Sequence, residues 1–264
     1  MGTSEVAARM AHVFITGSTD GLGRAAAMAL LAEGHDVVVH ARNASRADSV
    51  SDLEDCGAGV VIGDLASAEE THRVAAQVNA VGPMDAVIHN AGIYLDPERV
   101  TTPEGHARTL AVNVLAPYVL TAEIERPERL IYINSDLHQG GDPSLHDVDW
   151  TSRPWDAAQA YADSKLYVTT IAFLVSRRWP DVLTNVVCPG WVPTKMGGPG
   201  ATDDLELGHT TQVWLAVSDE PEALSSGGYW YHKRRQTAAA AVSDLAFQNA
   251  LLEELRRLTG VRLR

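Results

Sequence analysis

A tyrosine and a lysine stand four residues apart in a segment with a helical pattern. Tyr161 and Lys165 fall within residues 155–179, a run that ends just before Pro180. On a helix, side chains four residues apart are neighbours, with Cβ atoms about 5–6 Å apart. An ammonium group that close to a phenol favours the phenolate, so we expect the pKa of Tyr161 to fall from about 10 toward neutrality. Tyr161 would then act as a general acid or base.

The same spacing occurs a second time, on a segment where it cannot couple the two groups. Tyr229 and Lys233 lie along and just beyond a predicted strand over residues 228–232. Four residues of a strand span about 13 Å, which is too far for the ammonium to act on the phenol. We therefore expect Tyr229 to pack in the core.

Two further polar residues are candidates for the same catalytic site. Ser135 ends a predicted strand over residues 129–134, where its hydroxyl could hold a substrate oxygen beside Tyr161. Asn113 lies in an apolar helical run, where asparagine is a poor helix former, and a bend around a water molecule is one reason for its presence. Three polar residues of the loop after Ser135 match no strong metal-ligand spacing, so we predict no metal site; they are His138, His146 and Asp147.

A glycine-rich turn follows a short apolar strand, residues 13–15, and leads into a strong helix former. The glycines would let a pyrophosphate approach the backbone and the positive end of the helix. A glycine turn without a ligand is the alternative. The residues of this turn that we expect to bind a dinucleotide are Gly17, Ser18, Thr19, Gly21, Leu22 and Gly23.

The end of the second predicted strand, residues 36–40, indicates which dinucleotide binds. A carboxylate at this point would accept hydrogen bonds from the ribose hydroxyls of NAD and repel a 2′-phosphate. The chain has no acid there, and the guanidinium of Arg42 suits a phosphate, so we expect NADP (NADPH). The alternative is a solvated surface arginine. We expect Asn43 to bind the cofactor beside Arg42, and Asp64 and Leu65, after the third strand, to flank the adenine.

Apolar, β-branched runs alternate with helical patterns along the chain. Strands over residues 13–15, 36–40, 59–63, 85–89, 129–134, 182–188 and 228–232 predict a seven-stranded, doubly wound parallel sheet of the Rossmann type with helices on both faces. No convincing domain boundary interrupts the pattern, so we expect residues 1–264 to form one dinucleotide-binding domain. The irregular segments 137–153 and 190–202 leave strands at the edge where such sheets bind ligands, and they are candidate substrate loops.

These motifs, in this order, resemble the short-chain dehydrogenase/reductase family in its single-domain form, over nearly the whole chain. Residues 16–23 are similar to its glycine motif. Asn113, Ser135, Tyr161 and Lys165 are similar to its catalytic tetrad. The resemblance implies reversible hydride transfer between a nicotinamide dinucleotide and a carbonyl or alcohol. Tyr161 and Lys165 would also contact the cofactor, as would Asn90, Ala91, Gly92, Pro189, Gly190, Val192 and Thr194.

The sequence after strand two and the long spacer between Ser135 and Tyr161 are most similar to NADP-preferring, retinol dehydrogenase-like members. Three residues depart from the family pattern, namely His89, Asn134 and Asp136, and the acid could alter the hydrogen bonding of the catalytic serine. The helix after Asn113 is short. That helix forms the usual dimer face of the family. The sequence therefore leaves it open whether the chain forms a homo-oligomer.

Composition restricts the possible partners. The formal net charge of −13 argues against nucleic acid and anionic membranes, and no apolar run approaches the ~18 residues of a membrane span. Residues 1–9 show no signal pattern, so we expect a cytoplasmic protein. Four side chains near the predicted pocket favour a small-molecule carbonyl or alcohol substrate with an apolar body: Trp150, Trp155, Trp191 and Met196.

Two other functions share parts of this pattern. A non-catalytic NADP(H)-binding sensor or scaffold would have no need of Tyr161 and Lys165 together, and only Asp136 favours it. A sugar-nucleotide epimerase shares the Tyr-x-x-x-Lys spacing, but its glycine spacing differs and this chain lacks the length for an extra substrate region. We therefore favour an NADP(H)-dependent oxidoreductase.

Overall fold

One eight-stranded sheet runs through the part of the chain that the computed structural model describes, residues 9–263. Its strands are β1 His12–Ile15, β2 Asp36–Ala41, β3 Gly59–Ile62, β4 Ala86–His89, β5 Arg129–Ile133, β6 Leu183–Cys188, β7 Gly228–Tyr231 and β8 Arg234–Gln236. The order across the sheet is β3-β2-β1-β4-β5-β6-β7-β8, and only β8 is antiparallel to its neighbour. The strand order reverses between β1 and β4, and doubly wound sheets bind ligands at such a point.

The predicted parallel sheet is confirmed for β1 to β7, and β8 adds an antiparallel edge that the sequence does not reveal. A two-residue turn, His232 and Lys233, joins β7 to β8, and both residues have positive φ, 47° and 59°. Such turns favour Asn-Gly or Asp-Gly, so a His-Lys pair gives no hairpin signal. The prediction therefore extends the seventh strand through His232, where the chain in fact turns.

Helices cover both faces of the sheet. Within residues 9–263 the α-helices are α1 Gly21–Ala32, α2 Ala44–Ala47, α3 Ser51–Asp55, α4 Ala68–Val81, α5 Arg108–Leu110, α6 Ala116–Glu123, α7 Ala157–Arg178, α8 Leu205–Val217 and α9 Leu245–Thr259. Side-chain caps fix where the longer helices begin, because they accept hydrogen bonds from otherwise unpaired N–H groups. These caps are Asp20, Ser67, Asp156, Asp204 and Asp244.

The chain around Asn113 forms a π-helical turn, Ala111–Leu115, between α5 and α6. Pro117 has no N–H to donate to the carbonyl of Asn113, four residues earlier, so the α-helical bonding is interrupted here. Single π-helical turns inside helices often occur at functional sites. The irregularity that a buried asparagine predicts is therefore present, and its form is a π turn.

The sheet buries apolar side chains on both faces. Along β1, Phe14 faces a cluster with α4, α6, α7 and α9, whereas Val13 and Ile15 face a cluster with α1 and α8. All three side chains are fully buried, as expected for a parallel strand that is covered on both faces. Across residues 9–263, no helix has both the length and the apolar character needed to cross a membrane. In the same region no three metal-ligand side chains come together as a metal site.

Candidate active site

Three of the predicted catalytic residues meet at the carboxyl end of β5. The hydroxyl of Ser135, two residues beyond the strand, lies beside Tyr161 of α7 and stabilises the ionised form of the phenol. Lys165, one helical turn further along α7, places Nζ 5.5 Å from the centre of the Tyr161 ring. Its Nζ also donates to the carbonyl of Ile133, at 3.0 Å. The strand and the helix thus hold a phenol, a hydroxyl and an amine side by side.

The pKa of Tyr161 shifts in the direction opposite to the one its spacing from Lys165 predicts. Burial of the phenol raises the pKa above its usual 10, and the Ser135 hydroxyl beside it opposes this shift only in part. Burial also lowers the pKa of Lys165 to about 8. The expectation of a lowered Tyr161 pKa is wrong for this structure, because desolvation disfavours the charged form of both groups.

Asn113 joins the site through the loop after β4. Its Oδ1 accepts from the N–H of Ile93 at 2.9 Å, and its Nδ2 donates to the Ile93 carbonyl at 3.0 Å. Nδ2 also donates to Oγ of Ser164, the neighbour of Lys165, at 3.0 Å. A Cβ built on Gly92 would lie 3.5 Å from both Asn113 Oδ1 and Lys165 Nζ. Asn113 therefore fixes the loop beside Lys165, and its role as a water ligand stays a prediction.

The glycine turn rests on the segment that follows β4. Gly17 has a φ of 64°, and a Cβ at this position would lie only 2.8 Å from the Cα of Ala91. Asn90 Nδ2 donates to the carbonyls of Thr16 and Gly17, at 2.9 and 3.1 Å. The Thr16 hydroxyl accepts from the N–H groups of Asn90 and Ala91, both at 3.0 Å. The side chain of Asn90 thus stabilises the conformation of the glycine turn. Its contact with a nucleotide stays a prediction.

His40, at the end of β2, is a site residue that the sequence analysis missed. The N–H of Gly17 donates to its Nδ1 at 3.0 Å, so Nε2 carries the proton and donates to the carbonyl of Gly63 at 2.8 Å. The N–H of His40 donates to Oγ of Ser18, at 2.8 Å. Burial lowers the pKa of His40 and keeps the ring neutral. Its position at a strand end, directly before the Arg42 segment, is the sequence signal that could have found it.

Two arginines follow β2, and the structure places them differently. Arg42 is exposed, and no other residue of the described chain hydrogen-bonds its guanidinium. Arg46, in α2, donates to Oγ1 of Thr19 at 3.0 Å and pairs with Asp20 at 3.5 Å. Asn43 caps α2 by accepting from the N–H of Arg46 at 3.0 Å. The sequence shows only Arg42 beside the expected phosphate, and α2 brings a second guanidinium to the glycine turn.

The segment after β3 offers fewer groups to a nucleotide than the sequence suggests. Leu65 is 5% exposed and its side chain packs in the core. Asp64 is half-buried, and its Oδ1 accepts from the N–H of Ala66 at 2.9 Å. Within residues 9–263, Oδ2 of Asp64 has no hydrogen-bond partner, and the contact of Asp64 and Leu65 with the adenine stays a prediction.

The loop after β6 lies against the glycine turn. The methyl group of Thr194 is 3.5 Å from the Cβ position of Gly21. The Lys195 ammonium forms an ion pair with the carboxylate of Asp20, which also contacts Arg46. The loop and the turn are therefore in contact at the reversal of strand order.

Exposed apolar side chains lie on the loops at the carboxyl edge of the sheet, although not all of the predicted ones are exposed. Trp150 is buried against Trp155, with ring centres 5.5 Å apart, so both belong to the packing of their own loop. Tyr94 was not predicted, and its ring meets that of Tyr161 edge-on at 4.5 Å. The exposed apolar side chains on the loops at this edge are Tyr94, Leu95, Leu137, Trp191 and Met196.

Tyr229 is buried in the core, as its strand position predicts, but its hydroxyl has a partner at the site. It is 2% exposed and donates to Oδ1 of Asp136 at 2.8 Å. Ser135 Oγ accepts from the N–H of Leu137 at 3.3 Å. The Asp136 carboxylate is turned toward Tyr229, and within residues 9–263 it forms no hydrogen bond with the Ser135 hydroxyl.

Known proteins share both the sequence pattern and the fold. The chain matches the family model described as short chain dehydrogenase over residues 11–130. Short-chain dehydrogenase chry4 of Gibberella zeae is 39% identical over 257 residues, which are 96% of this chain and 99% of the relative. Retinol dehydrogenase 13 of Homo sapiens is 25% identical over 281 residues, covering 94% of this chain and 84% of that protein. A blue fluorescent protein from a metagenomic library, solved in complex with NADPH, has a TM-score of 0.67 at 22% identity and covers 89% of this chain and 98% of its own.

Proposed function

The chain belongs to the short chain dehydrogenase family and is an oxidoreductase, and we propose that it is an NADP(H)-dependent carbonyl reductase or alcohol dehydrogenase. When bound, the nicotinamide supplies or accepts the hydride at the carbonyl carbon. Tyr161 gives a proton to the substrate oxygen, Ser135 hydrogen-bonds that oxygen, and Lys165 binds the nicotinamide ribose. The observation that carries the proposal is the position of Ser135 beside Tyr161 at the end of β5, with Lys165 Nζ 5.5 Å from the ring centre.

The glycine turn suits a dinucleotide by its backbone and its charge. At Gly17 a Cβ would lie only 2.8 Å from the Cα of Ala91, and Gly92 leaves the space toward Lys165 Nζ free of a side chain. Asp20, the N-cap of α1, pairs with two cations, Arg46 and Lys195. These three side chains together carry one net positive charge beside the start of α1, which suits a phosphate.

The preference for NADP(H) over NAD(H) rests on two guanidinium groups. Arg42 is exposed at the end of β2, and Arg46 reaches the glycine turn from α2. No acid replaces them after β2, where a carboxylate would favour the ribose hydroxyls of NAD. We infer that Arg42 and Arg46 bind the 2′-phosphate together, since planar guanidinium groups match phosphate geometry.

A panel of aldehydes, ketones and secondary alcohols tests the proposal. We expect the protein to oxidise NADPH with at least one carbonyl class, or to reduce NADP with the matching alcohols, as followed by the absorbance of the reduced nicotinamide. The same assay with NADH and NAD is the control for cofactor choice. Tight NADPH binding without turnover on the whole panel would contradict the proposal and indicate the non-catalytic sensor or scaffold.

A further inference from the structure

Asp136 is a carboxylate placed directly beside the catalytic serine. It follows Ser135 in the chain, and consecutive Cα atoms are 3.8 Å apart. The residue is exposed, and so is its neighbour Leu137. Within residues 9–263, the one side chain that hydrogen-bonds this carboxylate is Tyr229, which donates to Oδ1 at 2.8 Å. Oδ2 therefore remains available to an incoming molecule.

Two buried side chains, His138 and Tyr229, hold the Asp136 carboxylate in place. The ring of His138 packs on that of Tyr229, with centroids 4.7 Å apart. The N–H of Ala239 donates to Nε2 of His138 at 3.0 Å, so Nδ1 carries the proton and donates to the Ser135 carbonyl at 2.9 Å. Buried His138 and Tyr229 thus fix both the backbone and one oxygen of the Ser135–Asp136 pair, as a recognition site requires.

The Asp136 carboxylate lies at the same edge of the sheet as Tyr161, because Ser135 and Asp136 follow β5 and Cys188 ends β6. The Cys188 thiol is beside both Tyr161 and the hydroxyl of Tyr229. Tyr229 in turn donates to Oδ1 of Asp136 at 2.8 Å. Asp136 and the proposed proton donor are therefore linked through two shared neighbours, Cys188 and Tyr229.

We propose that Asp136 recognises the substrate, with its free oxygen accepting a hydrogen bond from a donor group that lies within a few bonds of the reacting carbonyl. This inference rests on the proposed function, because Ser135 positions the carbonyl oxygen next to Asp136. The substrate class is then a carbonyl compound with a neighbouring hydroxyl, amide N–H or ammonium group. The exposed apolar side chains on the loops at this edge of the sheet accommodate the rest of the molecule, so the expected apolar body is only part of the substrate.

Three aryl ketones of nearly equal size test the inference: 2-hydroxy-1-phenylethanone, its methyl ether 2-methoxy-1-phenylethanone, and 2-amino-1-phenylethanone. A hydrogen bond to a charged group corresponds to about a ten- to hundredfold change in kcat/KM. We expect the parent to favour the hydroxy ketone over the methyl ether by that factor. A higher kcat/KM for the amino ketone than for the hydroxy ketone would identify an ammonium group as the natural donor. Equal kcat/KM values for these two ketones would identify a neutral donor.

Asp136→Asn keeps the size of the side chain but places an N–H₂ group where the free oxygen lies. We expect this variant to lose the preference for the hydroxy ketone while its affinity for NADPH stays at the parent value. Tyr229→Phe, which releases the carboxylate, should reduce the same preference. Glu222→Gln is the matched control, because it removes an exposed acid from the loop before β7, at the opposite edge of the sheet.

The outcomes distinguish failure of the Asp136 role from failure of the proposed function. Equal kcat/KM for the hydroxy ketone and its ether in the parent, or an unchanged ratio in Asp136→Asn, would overturn the role of Asp136 while the reductase proposal stands. Loss of NADPH binding in Asp136→Asn would overturn it as well, since the residue would then be structural. If NADPH binds but no carbonyl of any class reacts, the proposed function fails and the recognition role fails with it.

Discussion

Lys165 is the proposed catalytic residue whose charge depends most directly on pH. Burial against β5 lowers the pKa of its amine to about 8. Above this pH the free enzyme loses the positive charge beside Tyr161, so we expect kcat/KM to fall as pH rises through about 8. Lys165→Arg keeps the charge at every accessible pH, and it should be slower than the parent but without the alkaline fall. A parent profile that stays flat from pH 7 to pH 10 would contradict this assignment.

In the proposed function, Arg42 and Arg46 select NADPH over NADH. A charge-assisted hydrogen bond to phosphate contributes roughly 1.5–3 kcal/mol, or about ten- to a hundredfold in affinity. We expect Arg42→Ala and Arg46→Ala each to weaken NADPH binding by a factor in this range, with NADH binding nearly unchanged. Fluorescence titration of the two cofactors measures both constants. An equal loss for NADH and NADPH would show that neither guanidinium binds the 2′-phosphate.

Sequence spacing predicts which residues meet at the candidate active site but not their electrostatics. The interval between Tyr161 and Lys165 predicts that the two are neighbours, which the structure confirms. It predicts the wrong direction for the shift in the Tyr161 pKa. The spacing indicates that the two groups are close enough to attract each other, but it does not indicate that both are buried. The sequence also does not predict that Arg46 reaches the glycine turn or that Asp136 pairs with Tyr229. Each contact depends on where another element places the side chain.

At the scale of elements, His40 couples β2 to the glycine turn and to the end of β3. His40→Phe leaves the N–H of Gly17 and the carbonyl of Gly63 without partners. We expect a loss of about 2–4 kcal/mol in the free energy of unfolding, because buried unpaired groups cost about 1–3 kcal/mol each. NADPH and NADH binding should weaken by the same factor, in contrast to the arginine variants. His146→Phe, at an exposed loop position, is the control for replacing a histidine.

Urea denaturation and cofactor titration test this coupling together. A His40→Phe variant with parental stability and parental affinity for both cofactors would contradict it. A loss confined to NADPH would instead assign His40 to the 2′-phosphate site, which the structure does not support.

The elements that the sequence predicts best are those with continuous patterns. Seven parallel strands and their helices follow from apolar runs, and the glycine turn follows from its spacing. The hairpin through His232 and the π turn at Asn113 have weaker signals. The first uses residues unusual for its geometry, and the second arises from a missing N–H at Pro117 rather than from any periodicity.

Acid pH should destabilise the whole molecule through its buried neutral histidines. Burial lowers the pKa of His40, His89 and His138, that of His89 to about 3. In the unfolded chain these groups titrate near pH 6.5, so below that pH the unfolded state binds protons that the native state does not. Their contribution is fully present above about pH 6.5 and decreases as pH falls. His106 acts in the opposite direction, because Asp149 raises its pKa.

His89→Asn isolates one of these contributions. Between pH 7.5 and pH 5.5, we expect the free energy of unfolding of the variant to fall by about 1.4 kcal/mol less than that of the parent. Urea denaturation at the two pH values gives this difference. His146→Asn should retain the parental pH dependence. An unchanged pH dependence of the free energy of unfolding in His89→Asn would contradict a buried, neutral His89 ring.

The central claim is that Tyr161 donates the proton in an NADPH-dependent carbonyl reduction, and the Tyr161→Phe variant tests it most directly. The substitution removes one hydroxyl and leaves the Lys165 amine and the glycine turn in place. We expect kcat/KM for the carbonyl substrate to fall about 10²–10⁴-fold, the range typical of general acid catalysis. The affinity for NADPH should stay close to that of the parent. Turnover within tenfold of the parent would contradict the account.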